Sequence, residues 1–402
     1  MSRAAWVRLA ASLFRIFALN LSIGALFLLR ACAPAAAGDT GAPVDNRVVL
    51  VAAPGATCAA VHEKTQMLIV GHRAAEPFEL SLFSLDGRGR LTKNKPMPVA
   101  MPLPESLATF NQYVLGVAIH PREDLLYVWR DIAGPKPGTP QAAEVFDLFD
   151  RLLIYRMERT GPVMLARTCR GPRFAYEQTF GWIALDPEAR RLFLPNLRDA
   201  SSGASQIGYL PLGRNGLPQM VETEQGERVE AEPISVDVSN LRGHPSGWGF
   251  FAPNADVVLF AGPRGVALWD TANRRGALGS FIVIEAPNDN FIGGHHAFPA
   301  VYGAGHGHSV AWRMTQVDGF FTLRPQALGV AGANFHSPPV VIPSKPPVLA
   351  IGGVNSLHLL SLDAEGRFTG QIAQIAVQCP EVRALACSQR FNRLYVAVEK
   401  LE

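Results

Sequence analysis

The chain has 402 residues, of which 48% are hydrophobic and 18% are charged, so it can bury a substantial core and is not a disordered protein. Its 37 glycines and 31 prolines are typical of an architecture with many turns. The formal net charge of +3 gives no reason to expect nucleic acid as a partner.

The first 37 residues have the order of an export signal. Arginines without any acid precede a 14-residue run, Ile16–Leu29, which is apolar except for two polar residues, and small residues follow at Ala35 and Ala37. The run is short for a membrane span, which takes about 20 residues. The sequence therefore predicts a signal peptide that is cut after Ala37. Two alternatives stay open, which are acylation of Cys32 in "LRAC" and an uncleaved N-terminal anchor.

Cleavage would remove four of the 37 basic residues and none of the 34 acidic ones, so residues 38–402 would carry a formal charge of −1. The predicted location is periplasmic or secreted, with membrane contact only through the N-terminal segment. Four cysteines remain in this part, at positions 58, 169, 379 and 387, and four cysteines allow three disulfide pairings between which the sequence does not choose.

A strand-turn-strand pattern recurs after residue 37. In "AIHPREDLLYVWR" the residue that opens the turn, His120, lies seven residues before Tyr127 in the middle of the second strand. The same step occurs in "ALDPEARRLFLPN" and "ACSQRFNRLYVAV", where a strand of small residues again precedes a β-rich strand. Seven copies can be aligned, and their turn-opening residues are His62, His120, Asp186, Ala252, Tyr302, Ile342 and Ser388.

Further strands follow these hairpins, and "SLDGRGRL" and "SLDAEGRF" both end a third strand in a glycine-containing turn. Four short antiparallel strands repeated seven times predict an all-β fold, a seven-bladed β-propeller over residues 38–402, because radial closure protects the sheet edges. Only 14 residues follow Ser388, too few for a blade. The N-terminal strand "RVVLVAA" is therefore predicted to complete the last blade and to close the ring.

The repeat resembles that of the YVTN family of seven-bladed propellers, which includes lactonase-like proteins. The segments "HPREDLLYVWR" and "DPEARRLFLPN" carry the resemblance, whereas "SPPVVIPSKPPVLAIGG" is closer to the related quinoprotein type of repeat. The resemblance covers essentially the whole of residues 38–402 and implies the fold. For function it implies lactone hydrolysis, a quinoprotein subunit, or binding and scaffolding, and only the residues of a site can decide between them.

In such a ring, the residues before the innermost strand of each blade form the rim of the upper central funnel. Eight residues before the turn-opening residue, blades 2 to 6 carry mostly polar side chains, and further histidines lie next to these positions. The rim is predicted to bind a small polar molecule or a protein segment. The predicted ligand-binding residues are Gln112, Gln178, His244, His295, His296, Asn334 and His336.

The same rim allows other chemistry. A lactonase-like hydrolase would use His244 or His296 as general base, Arg242 to stabilise the oxyanion and Glu177 to orient the base. Because histidine is a common metal ligand, a metal-dependent or quinone-dependent protein is a third hypothesis. The structural alternative is that these side chains only bind neighbouring blades. A binding propeller is the leading hypothesis, and the sequence identifies neither a cofactor nor a metal.

Overall fold

The computed structural model describes residues 46–400 with gaps, all within Val44–Glu402, the second of two compact units; the first is Met1–Pro43. The described residues form β-strands and no α-helix, hence no helix able to cross a membrane. The gaps are residues 74–79, 94, 100, 103–104, 106–109, 136–148, 170–182, 187, 199–204, 223–227, 231–233, 238–248, 252–256, 263–264, 271–280, 286–290, 295–299, 306–307, 318–319 and 331–336.

The strands form small sheets in which chain neighbours pair antiparallel. After β1 (Val48–Ala52), sheet 1 contains β2 (Ala56–His62), β3 (Met67–His72), β4 (Leu80–Ser84) and β5 (Met97–Val99). Sheet 2 contains β6 (Phe110–Ile119), β7 (Leu125–Pro135), β8 (Leu152–Glu158) and β9 (Gly161–Thr168). Sheet 3 contains β10 (Ala184–Leu185), β11 (Arg191–Arg198), β12 (Ser205–Pro211) and β15 (Ile234–Asp237), and the hairpin of β13 (Met220–Glu222) and β14 (Arg228–Glu230) is inserted before its last strand.

The second half of the chain continues this plan. Sheet 4 contains β16 (Gly249–Phe251), β17 (Val257–Gly262), β18 (Gly265–Asp270) and β19 (Phe281–Glu285). Sheet 5 contains β20 (Phe291–Gly294), β21 (Ala300–Gly305), β22 (His308–Val317) and β23 (Phe320–Ala327). The terminal sheet contains β24 (Val340–Ile342), β25 (Val348–Leu362), β26 (Phe368–Ser388) and β27 (Arg393–Val398), and it also includes β1.

The terminal sheet contains two groups of strands. β25 folds back on itself, because the Leu362 amide donates to the Pro347 carbonyl at 2.9 Å and Asn355 between its two arms has a left-handed φ of 54°. β26 pairs with β25 through its first part and with β27 through its last part. β1 pairs with β27 in parallel, from Val48 opposite Leu394 to Ala52 opposite Val398. The first and last strands of the described chain are therefore joined, as the sequence predicts.

Apolar clusters lie between successive sheets. Alternation along β7 turns Leu126 and Val128 towards sheet 1, whereas Tyr127 and Trp129 face sheet 3. Because both faces are covered, strands such as β3 are continuous apolar runs rather than alternating ones. Corresponding clusters lie between sheet 5 and β24–β25, between β24–β25 and β26–β27, and between β26–β27 with β1 and sheet 1.

In the described residues, tyrosine hydroxyls connect neighbouring sheets at three equivalent places. Tyr127 donates to the Gly216 carbonyl at 2.6 Å, Tyr302 to Gly366 at 2.5 Å and Tyr395 to Gly89 at 2.8 Å. In each pair the tyrosine lies in the second strand of one sheet, and the glycine lies in the turn after the third strand of the next. Burial raises the pKa of all three tyrosines, so each hydroxyl remains a donor.

The turns after β4 and β25 have the same hydrogen bonds, as the likeness of "SLDGRGRL" to "SLDAEGRF" indicates. The Asp86 carboxylate accepts the Arg90 amide at 2.9 Å and Arg90 Nε at 2.8 Å. The Asp363 carboxylate accepts the equivalent groups of Arg367 at 2.7 and 2.8 Å. A glycine with positive φ completes each turn, and its carbonyl receives the tyrosine hydroxyl.

The alignment of the seven copies is wrong at Tyr302, where it is displaced by one strand. Tyr302 lies in β21, the second strand of sheet 5, where it occupies the position of Tyr127 in β7 and does not open a turn. The first strand is β20, so His295 and His296 come after it in the chain and not before it. His308 begins β22, so the segment "GAGHGH" runs from the second strand of sheet 5 to the third.

We expect Gly89→Ala to lower the free energy of unfolding by about 2 kcal/mol or more, since an alanine would combine left-handed backbone strain with overpacking. Gly89 has φ of +73°, and a Cβ there would lie 2.6 Å from Phe391 Cβ and 2.8 Å from the Tyr395 hydroxyl. Gly87 in the same turn has open space around it, so Gly87→Ala is the control and should change stability by less than about 0.5 kcal/mol. Urea denaturation of both variants measures the difference, and equal effects would contradict the role given to Gly89.

Candidate functional site

One cavity in the described residues combines an apolar floor with polar walls. It lies between the terminal sheet and sheet 1 and has a volume of about 410 Å³. We call it the seam cavity, because it lies where β1 and β27 meet sheet 1. Its lining residues are Ala52, Ala53, Pro54, Gly55, His72, Arg73, Ser81, Phe83, Pro96 and Glu399.

Strand alternation explains how the floor and the walls form. Leu68 and Val70 face the terminal sheet, so His72, two residues further along β3, follows on the same face. In β4, Phe83 also belongs to that apolar cluster, and Ser81 lies two residues before it. The apolar packing therefore ends in a histidine and a serine at the edge where β2 begins and β3 ends. We call this edge of the sheets the upper edge.

His72 is a buried histidine, and one of its two ring nitrogens already forms a hydrogen bond. Its side chain is 8% exposed, and its Nδ1 lies 2.8 Å from the Pro54 carbonyl oxygen. Because a carbonyl only accepts hydrogen bonds, Nδ1 carries the proton and Nε2 has a lone pair. Nε2 is buried and has no hydrogen-bond partner among the described residues. Burial lowers the pKa of His72, against the Pro54 hydrogen bond and the Glu399 charge, so the ring is neutral at pH 7.

Glu399, the residue after β27, forms part of the cavity wall. Its Oε2 accepts the Gly55 amide at 3.1 Å and lies 3.6 Å from Arg383 Nε. The turn between β1 and β2 is thereby held on both sides, since Pro54 accepts from His72 and Gly55 donates to Glu399. Residues that are more than 300 positions apart in the chain thus form one site.

Arg73 connects the seam cavity with sheet 2. It forms an isolated antiparallel bridge with Tyr113, and its guanidinium carbon lies 5.4 Å from the centre of the Tyr113 ring. A guanidinium that stacks on an aromatic face keeps its N–H groups directed outwards in its own plane. Arg73 is exposed and forms no ion pair with the described residues. By strand alternation its side chain lies on the face of sheet 1 that meets sheet 2, opposite to the face that carries His72.

Gln112 is the one predicted ligand-binding residue within the described chain, and the structure places it in a buried hydrogen bond. It lies inside β6, is 6% exposed, and accepts Arg130 Nη1 at 3.0 Å through its Oε1. Arg130 is 1% exposed; its Nε donates to the Asp150 carbonyl at 2.9 Å, and its guanidinium lies 4.5 Å from the Phe149 ring centre. Gln112 and Arg130 both belong to sheet 2, so this contact lies within one sheet, and the ligand-binding role of Gln112 stays a prediction.

A buried ion pair lies beside Gln112 and Arg130 at the base of the long connection between β7 and β8. Arg151 Nε lies 3.5 Å from Asp131 Oδ1, and both side chains are almost completely buried. Burial lowers the pKa of Arg151, and Asp131 opposes that effect. The pair therefore joins the start of the connection to its end, which stabilises the position from which residues 136–148 leave the sheet.

The other predicted site residues lie outside the described residues. They are Glu177, Gln178, Arg242, His244, His295, His296, Asn334 and His336. In the described part of the chain, no group of three or more His, Cys, Asp or Glu side chains could hold a metal ion. Burial raises the pKa of Cys58 to about 12 and that of Cys387 to about 11, so these thiols are not nucleophiles at neutral pH.

Sequence reasoning missed His72, Arg73 and Glu399. None of them falls at the position eight residues before a turn-opening residue, where the rim was sought. A signal was present, because "MLIVGHR" ends an apolar run with two polar residues at a strand terminus. The contribution of Glu399 had no such signal, since it depends on the pairing of β1 with β27.

We expect Asp131→Asn to lower the free energy of unfolding by about 3 kcal/mol, because it removes the charge that faces the buried Arg151. The control is Glu158→Gln, which removes the partner of Arg156 from a pair whose side chains are 40% and 53% exposed. An exposed pair contributes less than about 1 kcal/mol. Chemical denaturation of both variants tests this, and an Asp131→Asn effect as small as the control would show that the buried pair is not stabilising.

Comparison with known proteins bears on the fold. No protein-family model matches the chain, and no curated protein matches it. A solved protein from Lactobacillus plantarum is similar with a TM-score of 0.54 at 12% identity, covering 84% of this chain and 89% of that one. A functionally unknown protein from Desulfotomaculum acetoxidans has a TM-score of 0.47 at 12% identity, covering 89% and 94%. The first likeness indicates a β-propeller-like fold and says nothing about activity.

Proposed function

We propose that residues 38–402 form an exported seven-bladed β-propeller, closed by its N-terminal strand, that binds a small polar ligand at its upper edge. In this proposal residues 1–37 are the export signal, and the protein acts in the periplasm or outside the cell. The arginines, the short apolar run and the small residues before residue 38 support export. A polar segment of a partner protein is the alternative occupant of the site.

The packing order supports the ring. Sheets 1 to 5 supply five blades, and the terminal sheet supplies two more. One is β24, both arms of β25 and the first part of β26; the other is the last part of β26 with β27 and β1. Apolar clusters connect sheet 5, these two blades, sheet 1, sheet 2 and sheet 3 in that order. A closed ring explains why the last blade packs on the first.

The observation that carries the binding proposal is Nε2 of His72, which lies in the wall of the seam cavity and has no hydrogen-bond partner within the described part of the chain. A buried polar atom without a partner is unfavourable by about 1–3 kcal/mol unless a ligand or water satisfies it. The cavity has the volume of small-molecule sites, which span roughly 300–1,000 Å³, and their usual pattern of an apolar floor with a few polar groups. A small molecule fits a space of this volume between two sheets better than a protein segment does.

The binding proposal predicts that some members of a panel of sugars, polyols, hydroxy acids, amino acids and short peptides raise the melting temperature. At one hundred times its Kd, a ligand stabilises the folded state by about 2.7 kcal/mol. His72→Phe should abolish the shift. The control is His358→Phe, which changes another buried histidine, one that does not line the cavity and has its Nε2 bound to Ser356 at 3.0 Å. Ligand shifts that persist in His72→Phe would rule out the seam cavity as the site.

An assay of lactone hydrolysis distinguishes the lactonase-like alternative from the binding proposal. The hydrolase hypothesis depends on His244, His296, Arg242 and Glu177, all outside the described residues. The binding proposal expects no hydrolysis of sugar lactones above the uncatalysed rate, measured by a pH indicator with purified protein. Turnover that disappears in His244→Ala or in His296→Ala would replace the binding proposal with the hydrolase.

A further inference from the structure

We propose that His120 is a pH switch at the contact between sheets 2 and 3, in which the neutral ring caps its hairpin turn and the protonated ring releases it. The switch lies at the lower edge, opposite the upper edge, where β2 ends and β3 begins, and it does not depend on the proposed binding function. It follows from a turn cap that recurs along the chain, from the protonation state that this cap requires and from the contacts of the ring with sheet 3.

Within the described chain, four hairpin turns are capped by the residue that opens them. In each turn a side-chain atom of that residue accepts a backbone N–H from further along the turn. Ser388 Oγ accepts the amide three residues later at 3.2 Å, and Asp186 Oδ1 accepts the amide four residues later at 2.7 Å. At His62 and His120 a ring nitrogen is the acceptor. A hydroxyl and a carboxylate still accept hydrogen bonds at pH 5, whereas a protonated imidazole does not, so acid can remove only the two histidine caps.

The cap formed by His120 requires a neutral ring. Its Nδ1 accepts the Glu123 amide at 2.9 Å and the Arg122 amide at 3.2 Å. Because an amide N–H only donates, Nδ1 has the lone pair and Nε2 carries the proton. Protonation of Nδ1 would place a third N–H group against these two, and neither amide can reverse its role. Both contacts are therefore lost when the ring is charged.

The His120 ring also lies against two turns of sheet 3. It is 6% exposed, and its Cδ2 lies 3.0 Å from the position that a Cβ on Gly216 would occupy. The Gly216 carbonyl accepts the Tyr127 hydroxyl, so the ring packs beside a hydrogen bond that joins sheets 2 and 3. The ring forms a further hydrogen bond with the backbone of Ala189, in the turn between β10 and β11. Release of the cap would therefore loosen the contact between the two sheets.

Burial is the main influence on the pKa of His120. Burial lowers this pKa, Glu123 opposes the effect, Arg122 adds to it, and the Ala189 backbone opposes it. Because the pKa is lower in the folded than in the unfolded chain, the cap stabilises the fold fully above about pH 6.5 and loses this contribution as the pH falls below that value. The other charged residues of the adjoining turns of sheet 3 keep their charges between pH 7.5 and pH 5, and they are Asp186, Glu188, Arg190, Arg191 and Arg214.

His62 has the equivalent position in sheet 1, but its contacts tolerate a proton. Its Nδ1 lies 2.6 Å from Thr65 Oγ1 and accepts the Thr65 amide at 3.3 Å. A hydroxyl can accept from a protonated Nδ1 as well as donate to a neutral one, so the shorter contact survives protonation. Burial lowers the pKa of His62, but Asp124, 3.7 Å from Nε2, and Glu63 oppose that effect, while Lys64 adds to it. Acid should therefore release the turn in sheet 2 before the turn in sheet 1.

Hydrogen exchange of the full chain, measured by mass spectrometry at pH 7.5 and pH 5, tests the switch. After correction for the intrinsic pH dependence of exchange, the protection of peptides that contain Arg122 and Glu123 should fall about five- to thirtyfold at pH 5, because local opening increases at most tenfold for each pH unit below the unfolded pKa of about 6.5. Peptides that contain Phe391, whose amide is capped by Ser388, are the internal control and should change by less than about twofold. Equal losses in both turns, or no loss at the His120 turn, would overturn the inference.

His120→Asn is the matched variant, because an Asn side-chain oxygen accepts turn amides without titrating, as the Asp186 carboxylate does at the same position in sheet 3. Between pH 7.5 and pH 5 the melting temperature of His120→Asn should fall by about 1–3 °C less than that of the wild type. His62→Asn is the control and should follow the wild type more closely. An equal fall in His120→Asn and the wild type, or a larger protective effect of His62→Asn, would contradict the switch. The exchange measurement needs no variant, so it decides the question if His120→Asn does not fold.

Discussion

The candidate site depends on the parallel pairing of β1 with β27. This contact brings the turn Ala53–Gly55 beside the end of β27, where the Ala53 amide donates to the Val398 carbonyl at 2.8 Å. Closing a loop over almost the whole chain is entropically unfavourable, so the apolar cluster between β26–β27, β1 and sheet 1 must supply the compensating free energy. The seam cavity lies beside that cluster, and a ligand bound there would contact both partners of the closure.

The polar groups of the upper edge are of two physical kinds. In sheet 2, Gln112, Arg130 and the pair of Asp131 with Arg151 are buried and hydrogen-bonded or paired with each other, which is what burial of charge requires. In the seam cavity, His72 is also buried, but among the residues that the structure describes only one of its two nitrogens has a hydrogen-bond partner. The first kind joins the end of β7 to the start of β8, and the second is the group on which the binding proposal rests.

Sequence reasoning succeeded where a residue pattern maps onto a local structure. The turns at Asp86 and Asp363 depend on a carboxylate and a glycine within five residues, so their equivalence could be read directly. It failed at Tyr302, because a seven-residue step between apolar segments fits the second and third strands as well as the first and second. The hydrogen bond from Tyr302 to Gly366, which identifies the second strand, involves a residue 64 positions away and has no local signal.

The sequence by itself determined the all-β class, the repeated hairpins, the pairing of the first strand with the last, and the composition of the N-terminal 37 residues, because strand alternation and turn chemistry act over a few residues. Only the tertiary structure decided that Gln112 is bound to Arg130 and that His72, Arg73 and Glu399 share a cavity. The physical reason is that burial and hydrogen-bond satisfaction depend on which distant strands become neighbours. In this protein the candidate site is assembled beside the first and last strands of the described chain.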